Sequence, residues 1–385
     1  MDDVPAGPAS TEPRRPSLSV VVPVCNGGSD FERCLRRLRD SSWADFELIV
    51  VDDGSTDDSG RLAAGSGAVV RRHDRPMGPA AARNLGAELA TGDLIFFLDA
   101  DVAVHRETIE RGMARFLDDP ELTALFGSYD DQPTAPGVVS QFRNLLHHYV
   151  HQQGDFLRDA RPAHTFWTGC GMIRRRDFLD FGGFDPRLYP RPAIEDIELG
   201  YRLTRAGRRI LLARDVQATH MKRWSIFEVV RTDVFRRGVP WMLLMKRSGT
   251  AETDLNVRSA QKLSVMATGL MLLSAAAMYV TPWAGALAAL CALGVVGLNL
   301  NLYRFLGRRR GLGFAVASFP PHLLYFVCCG VSVVIALARW YALDRPRRAL
   351  AGGRGERVDR GARSIPRPAW VRLARRIQRW TARSR

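Results

Sequence analysis

The chain has 385 residues, more than a single core domain of roughly 100–250 residues requires, and its 46% hydrophobic and 25% charged residues exclude a fibrous or wholly disordered protein. Its formal net charge is +15, but fourteen Arg against three acids between Asp344 and Arg385 supply about +11 of that. This distribution excludes a nucleic-acid-binding stripe along the whole protein and implies a basic tail set beside apolar segments, which suits anionic membrane lipid.

Residues 1–16 are polar and rich in Pro and Ala, and read as a disordered leader. They lack the apolar core of a signal peptide, so the domain that follows is expected in the cytoplasm. The six cysteines, Cys25, Cys34, Cys170, Cys291, Cys328 and Cys329, make no Cys-x-x-Cys pair, so a disulfide framework or zinc site is not expected. From Ser17, SLSVVVPV reads as a buried strand, and Phe31, Cys34, Leu35 and Leu38 recur at helical spacing. FELIVV is a second buried strand broken by DDGS, a helix follows GPAAARNLGAELA, and DLIFFL is a third strand ending on Asp99. Ile109, Met113 and Phe116 mark the next helix. This alternation predicts an α/β fold with a mostly parallel sheet covered by helices on both faces, and ligands in such sheets bind beyond the carboxyl ends of the strands. Asp52 and Asp53 follow one strand and Asp99 and Asp101 another, so acids cluster where a ligand is expected.

Further along, His147, His148 and His151 lie beside Tyr149 on a plausible helix, and the pattern reads as a solvated face. Residues 17–222 form the expected catalytic domain. Residues 223–260 mix apolar residues with Arg231, Arg236 and Arg237, as in an amphipathic helix lying on a membrane. Residues 261–341 form an expected transmembrane region: a helical hairpin over 263–302 interrupted by Thr281-Pro282-Trp283, then a third apolar segment over 312–340. Pro320-Pro321 suggests that the third segment is bent or re-entrant, which keeps the Arg-rich tail, 342–385, on the cytoplasmic side as the positive-inside rule favours. The expected location is thus a multi-pass protein of the cell membrane.

Asp99-Ala100-Asp101 places two carboxylates on a turn after a buried strand, where they can bind one hard cation, Mg²⁺ or Mn²⁺, that neutralises a diphosphate. Asp52 and Asp53 read either as a tight turn or as a partner for a nucleobase or ribose. Arg83 and Asn84 open a helix, a place that suits phosphate as well as simple capping. Glu195 and Asp196 also stand near a helix start, as caps or as a general base. His220 precedes Lys222, Arg223 and Trp224.

The ordered set VVPVCN, VVDDGSTDDS, GPAAARNLGA, FFLDADV, TGCGMIRRRDF with GGFDPRL, and EDIELGYRLTRAG resembles family 2 glycosyltransferases of the GT-A fold, from about Ser17 to Trp224. The resemblance implies a membrane-anchored, inverting transferase that moves a sugar from a nucleotide diphosphate donor, UDP-sugar being favoured, to a hydroxyl of a lipid or glycan acceptor. A polyprenyl-phosphate acceptor and a non-catalytic membrane scaffold are the alternatives. By resemblance, Pro23, Val24, Asn26, Asp52, Asp53, Arg83, Asn84, Asp99 and Ala100 surround the donor, with Arg223 and Trp224 near its diphosphate. Gly169, Cys170 and Gly171 line the sugar and acceptor pocket. Asp99, Asp101 and His220 hold the metal, and Asp196 is the base with Glu195 beside it. Two departures stand out. Cys25 occupies a place where the family often has an aromatic residue, and His220 replaces the commoner Gln or Arg, which makes a processive synthase the less expected form.

Overall fold

The computed structural model describes residues 16–249 and 259–344, so the leader and the Arg-rich tail lie outside the described residues. Strands β1 (Leu18–Val24), β2 (Glu47–Asp52), β3 (Val69–Arg72) and β4 (Leu94–Leu98) alternate with helices α1 (Gly28–Arg39), α2 (Ser59–Gly65) and α3 (Pro79–Leu89). Then come β5 (Val102–Val104), α4 (Thr108–Asp118), β6 (Leu122–Tyr129), α5 (Val138–His151), β7 (Ala160–Pro162), β8 (Cys170–Arg174), α6 (Arg175–Asp180), α7 (Glu195–Arg205) and β9 (Arg209–His220). They build one sheet in the order β3-β2-β1-β4-β8-β6-β9-β5, with β7 on β9.

The sheet is mixed. Its first half, β3-β2-β1-β4, is parallel, as the strand–helix alternation predicts. Strand β8 enters antiparallel to both β4 and β6. The alternation stops being legible at β5, where the chain passes through short strands rather than regular crossovers. The period of two in β1 sends Val20, Val22 and Val24 to one face, against Phe31, Cys34, Leu35 and Leu38 of α1, and Val21 to the other, against Ala80, Ala82 and Ala87 of α3. Two apolar layers therefore clamp the sheet and fix where its strands end.

The C-terminal part consists of α8 (Ile226–Arg231), a π-helical segment (Thr232–Gly238), α9 (Val239–Ser248), α10 (Ser259–Ala277), α11 (Trp283–Leu298), α12 (Leu300–Arg310), α13 (Leu312–Ala317) and α14 (Phe319–Arg339). Two stretches, Ser259–Ala277 and Leu312–Leu343, are long and apolar enough to cross a membrane; a third span is possible if α11 and α12, bent by 71° at Asn299, count as one. The apolar run 263–302 thus turns away at Asn299, whose amide donates to Ser264 Oγ at 2.8 Å and to its own helix at Val295 O. A break at Ser318 separates α13 from α14; Pro320 and Pro321 sit in the first turn of α14, where a missing N–H costs no helical bond, and Leu312–Leu343 together forms one stretch long and apolar enough to cross a membrane.

The 223–260 segment is broken in a way its composition did not announce. Ile226, Phe227 and Phe235 are exposed, while Asp233 is buried. The His cluster is likewise interior: His148 and His151 are buried, and α5 packs Phe142, Leu145 and Leu146 against Leu302 and Leu306 of α12. The solvated-face reading fails because α5 is enclosed from two sides: His147 and His151 lie against Trp167, and His148 stacks on Phe305 of α12.

Candidate active site

The carboxyl ends of β4 and β9 meet at a cavity of about 670 Å³. Asp99 and Asp101 flank the turn that joins β4 to β5. Strand β5 pairs antiparallel with the end of β9, setting Val102 opposite His220, and the Met221 N–H donates to Asp101 O at 2.9 Å. This register brings His220 Nε2 to 3.6 Å from Asp101 Oδ2.

The tautomer of His220 follows from its other neighbour. Asn144 on α5 must present its oxygen to Trp224, because an indole N–H only donates; that bond is 3.2 Å. The same oxygen lies 2.7 Å from His220 Nδ1, so Nδ1 carries the proton. Nε2 is then the ring nitrogen that faces Asp101, 3.6 Å from its Oδ2. Tyr129 stacks on the imidazole, with ring centres 4.2 Å apart and planes within 4°. An oriented imidazole beside a carboxylate is how proteins prepare a metal ligand. Burial opposes ionisation of Asp101, but His220 and Lys222 outweigh it and hold the carboxyl below its ordinary range. Among the described residues no group of three His, Cys, Asp or Glu is already gathered around one point. The donor set still suits Mg²⁺ or Mn²⁺, which commonly take one or two protein carboxylates and complete their shell with phosphate oxygens and water.

Asp99 faces a different partner. Arg83, 6% exposed, donates to Asp99 Oδ1 at 2.6 Å and to Glu195 Oε1 at 3.0 Å. Burial works against the guanidinium charge, but Asp99 and Glu195 outweigh it and raise the Arg83 pKa. Glu195 also accepts from the Ala193 N–H at 2.9 Å. Arg83 and Glu195 therefore form a strut under the site, not a free phosphate ligand and a free base.

Asp196, in the first turn of α7, is presented differently. Its Oδ2 accepts from the Thr168 N–H at 3.1 Å and the Thr168 hydroxyl at 3.3 Å, and its Oδ1 from the Ile197 N–H at 2.8 Å. Burial raises its pKa in spite of Arg83 and these bonds, and burial likewise raises that of Glu195. A carboxylate that holds a proton more tightly than usual is a stronger base.

The cavity gathers Arg83, Asp99, Asp101, Glu195, Asp196, His220 and Trp224. Several other sequence-derived candidates lie elsewhere. Asp52 is buried, accepts from the Ser55 N–H at 2.8 Å and pairs with Arg72 at 2.9 Å. Asp53 accepts from His73 Nδ1 at 2.6 Å and from the Met77 and Gly78 N–H groups at 2.8 Å each. Asn26 Oδ1 accepts from the Thr56 N–H at 2.8 Å, so the turn after Pro23 and Val24 is tied to the turn after β2. Asn84 exchanges two 2.9 Å bonds with the backbone of Phe184, which makes it a clamp between α3 and the 184 loop. Arg223 is exposed and, like Ala100, Gly169, Cys170 and Gly171, does not line the cavity. Gly169 instead lies beneath Trp167, where a Cβ would come within 2.3 Å of the indole. Trp167 and Thr168 are the lining residues of that motif. The positioning residues that sequence reasoning missed are Asn144, Tyr129, Thr168 and His73. Only Thr168 had a signal, lying one residue before the GCG motif.

Known proteins similar to the chain are glycosyltransferases. A family model described as Glycosyl transferase family 2 matches residues 19–182. The chain is 32% identical over 220 residues to glycosyltransferase AglE of Haloferax volcanii, covering 54% of this chain and 68% of that protein. It is 40% identical over 106 residues to the uncharacterized glycosyltransferase YibD of Escherichia coli, covering 26% of this chain but only 31% of YibD. Among solved structures it is similar to the mannosyltransferase PcManGT from Pyrobaculum calidifontis, solved in complex with GDP-Man and Mn²⁺, at a TM-score of 0.51 and 16% identity over 83% of this chain and 88% of that one. At that identity the likeness speaks for the fold alone.

Proposed function

The chain belongs to glycosyl transferase family 2, and from that premise we propose that it is an inverting transferase at a membrane surface, moving a sugar from a nucleotide diphosphate sugar to a hydroxyl of a lipid-linked or glycan acceptor. UDP-sugar is the favoured donor. The observation that carries this reading is the pairing, in one cavity, of a metal-type donor set with a buried, hydrogen-bonded carboxylate of raised pKa.

In this reading Asp101 and His220 would hold Mg²⁺ or Mn²⁺ with Asp99 nearby, and the ion would supply positive charge to the leaving diphosphate. Asn144 keeps His220 in the tautomer whose Nε2 can ligate. Arg83 holds Asp99 and Glu195 apart and fixed. Asp53 orders the Met77–Gly78 loop and has lone-pair capacity left for a nucleobase N–H, since three donors leave one of its roughly four acceptor positions free. Thr168 aims Asp196, which takes the proton of the acceptor hydroxyl as that oxygen attacks the anomeric carbon from the face opposite the leaving group. Direct displacement of this kind inverts the anomeric centre.

The cavity also supports a lipid-borne acceptor, because its far wall is apolar and comes from the C-terminal helices: Trp241, Met242 and Met245 on α9, Val265 on α10, Val333 on α14. A polyprenyl phosphate acting as the nucleophile is the second reading this wall favours. Thermal stabilisation of the purified protein by a panel of nucleotide sugars with Mn²⁺ tests the donor. Selective stabilisation by one nucleotide sugar supports the proposal, and indifference to all of them contradicts it.

A further inference from the structure

The cavity wall toward the C-terminal helices carries an excess of positive charge that the transfer chemistry does not use. The charged residues on the π segment and α10 there are Asp233, Arg236, Arg237 and Lys262, with Arg143 of α5 alongside. Asp233 is spoken for: it forms an ion pair with Arg143, both side chains being nearly buried. Arg237 forms no ion pair among the described residues. Burial and then the neighbouring Arg143 press its pKa down, with Asp233, Tyr129 and Asp196 pulling the other way. A guanidinium in a desolvated cavity with no carboxylate in direct contact is costly unless an anion arrives to meet it.

The backbone is shaped to hold this group. Residues 232–238 are wound as a π-helix, a rare form that usually marks functional positions. Its wide turn sets both Asp233 and Arg237, four residues apart, on the cavity wall. Gly238 lets the segment press against α14, where a Cβ would come within 2.2 Å of Ser332 Oγ. Beyond Arg237 the lining is the apolar wall of α9, α10 and α14, and its near side faces Asp196. One cavity thus offers a ligand a carboxylate, a guanidinium and a hydrocarbon-like surface.

We infer that Arg237, with Arg143 locked by Asp233 beside it, binds the phosphate of a lipid-borne acceptor, whose hydrocarbon chain lies between α9, α10 and α14. This deepens the proposed transferase reading and rests on it for the word acceptor. A planar guanidinium suits phosphate because its N–H groups match two phosphate oxygens at once.

The test uses the full chain in detergent, with farnesyl phosphate and farnesol as probes and titration calorimetry as the readout. Farnesyl phosphate is expected to bind about 10–100-fold more tightly than farnesol, the usual weight of a charge-assisted contact. Arg237→Gln is expected to erase that preference, and Arg237→Lys, which keeps the charge, to retain part of it and show that the fold tolerates change there. Binding of UDP or GDP with Mn²⁺ should be untouched in Arg237→Gln. Equal affinity for the two probes, or a preference that survives Arg237→Gln, overturns the inference. An equal loss of nucleotide binding assigns Arg237 to the donor and also overturns it. Displacement of farnesyl phosphate by inorganic phosphate at matching concentration removes the lipid from the proposal. If the wild-type chain binds no nucleotide at all, the transferase reading fails, while the probe preference still decides whether Arg237 reads a lipid phosphate.

Discussion

The sheet region and the C-terminal helices are built on opposite burial patterns. In the sheet region the largest side chains are innermost: Phe96, Phe97, Phe126 and Phe166 are all less than 2% exposed. In α10 and α11 the large side chains point outward, with Leu273, Leu290 and Leu293 each at least 65% exposed, while Ser264, Thr268 and Asn299 are buried between the helices. Both patterns obey one rule, that apolar surface faces whatever is not water. Small polar residues at the contacts and leucines outside are compatible with hydrocarbon surroundings, as are the length and apolarity of these helices. The two regions also use buried polarity differently. Between α10, α11 and α12 it is a matter of short hydroxyl and amide contacts, whereas the sheet region buries charges, several of which, Arg83, Glu195 and His220 among them, line one cavity.

The sharpest way to break this comparison is to remove a cavity charge and find the fold unharmed. Asp196→Asn keeps the shape and the Ile197 contact but loses the basic oxygen. Transfer to a hydroxyl acceptor is expected to fall about 10²–10⁴-fold with donor binding retained. Because burial raises the Asp196 pKa, the proton acceptor is lost as pH falls through a value above the ordinary carboxylate range, and the acid limb of the wild-type rate profile should lie correspondingly high. Asp196→Asn should flatten that limb. Transfer within a few fold of wild type on the true acceptor would leave the base unassigned or mark the nucleophile as a phosphate, which needs little help to ionise.

Truncating core side chains sets the two regions against each other directly. Phe97 lies between Phe178 and Phe184, at ring separations of 5.1 and 5.6 Å. Phe97→Ala should cost about 3–5 kcal/mol in urea unfolding of the full chain in detergent. Leu290→Ala on α11 should cost under about 0.5 kcal/mol. Equal losses would mean that α11 is packed against protein rather than lipid.

Leu270→Arg tests whether the exposed apolar surface of α10 lies in a membrane. An arginine at the centre of a spanning helix opposes insertion by about 2.5–3.5 kcal/mol, and the mean hydropathy of Ser259–Ala277 is only 1.2, so little margin exists. The fraction resisting alkaline extraction from membranes should drop. An unchanged fraction would show that α10 does not lie in hydrocarbon. Asn144→Ala removes the oxygen that orients His220 and should weaken Mn²⁺ binding about 10–100-fold without abolishing it. Calorimetric titration of Mn²⁺ in the presence of UDP reads that change.

Much of the first half was legible in the sequence. Strand β1 and helix α1 announce themselves by periods of two and 3.6, and Phe31, Cys34, Leu35 and Leu38 are all interior as their spacing implies. Asp99, Asp101, Glu195, Asp196 and His220 do meet in one cavity. What stayed hidden depends on contacts between distant segments. Asn144 acts on His220 across 76 residues, and no local pattern marks an asparagine on a helix as the keeper of a tautomer. The histidines of α5 look solvated until Trp167 meets His147 and His151 and Phe305 of α12 meets His148. Arg83 has the composition of a phosphate ligand, but Glu195, 112 residues away, claims it. Nor does the local sequence foretell the π-helical winding at Thr232–Gly238, which depends on how closely Gly238 meets α14.

If the Asp101–His220 pair serves a cation-assisted departure of a nucleoside diphosphate, release of that diphosphate must follow the ion. Nucleoside diphosphate release from the preferred nucleotide sugar by the full chain is measured first with Mn²⁺, then in excess chelator, then with Mn²⁺ restored. Release with the ion, loss in chelator and full recovery on return of Mn²⁺ are expected, with no recovery in Asp101→Ala although that variant remains folded. Undiminished release in excess chelator would contradict that role of the pair.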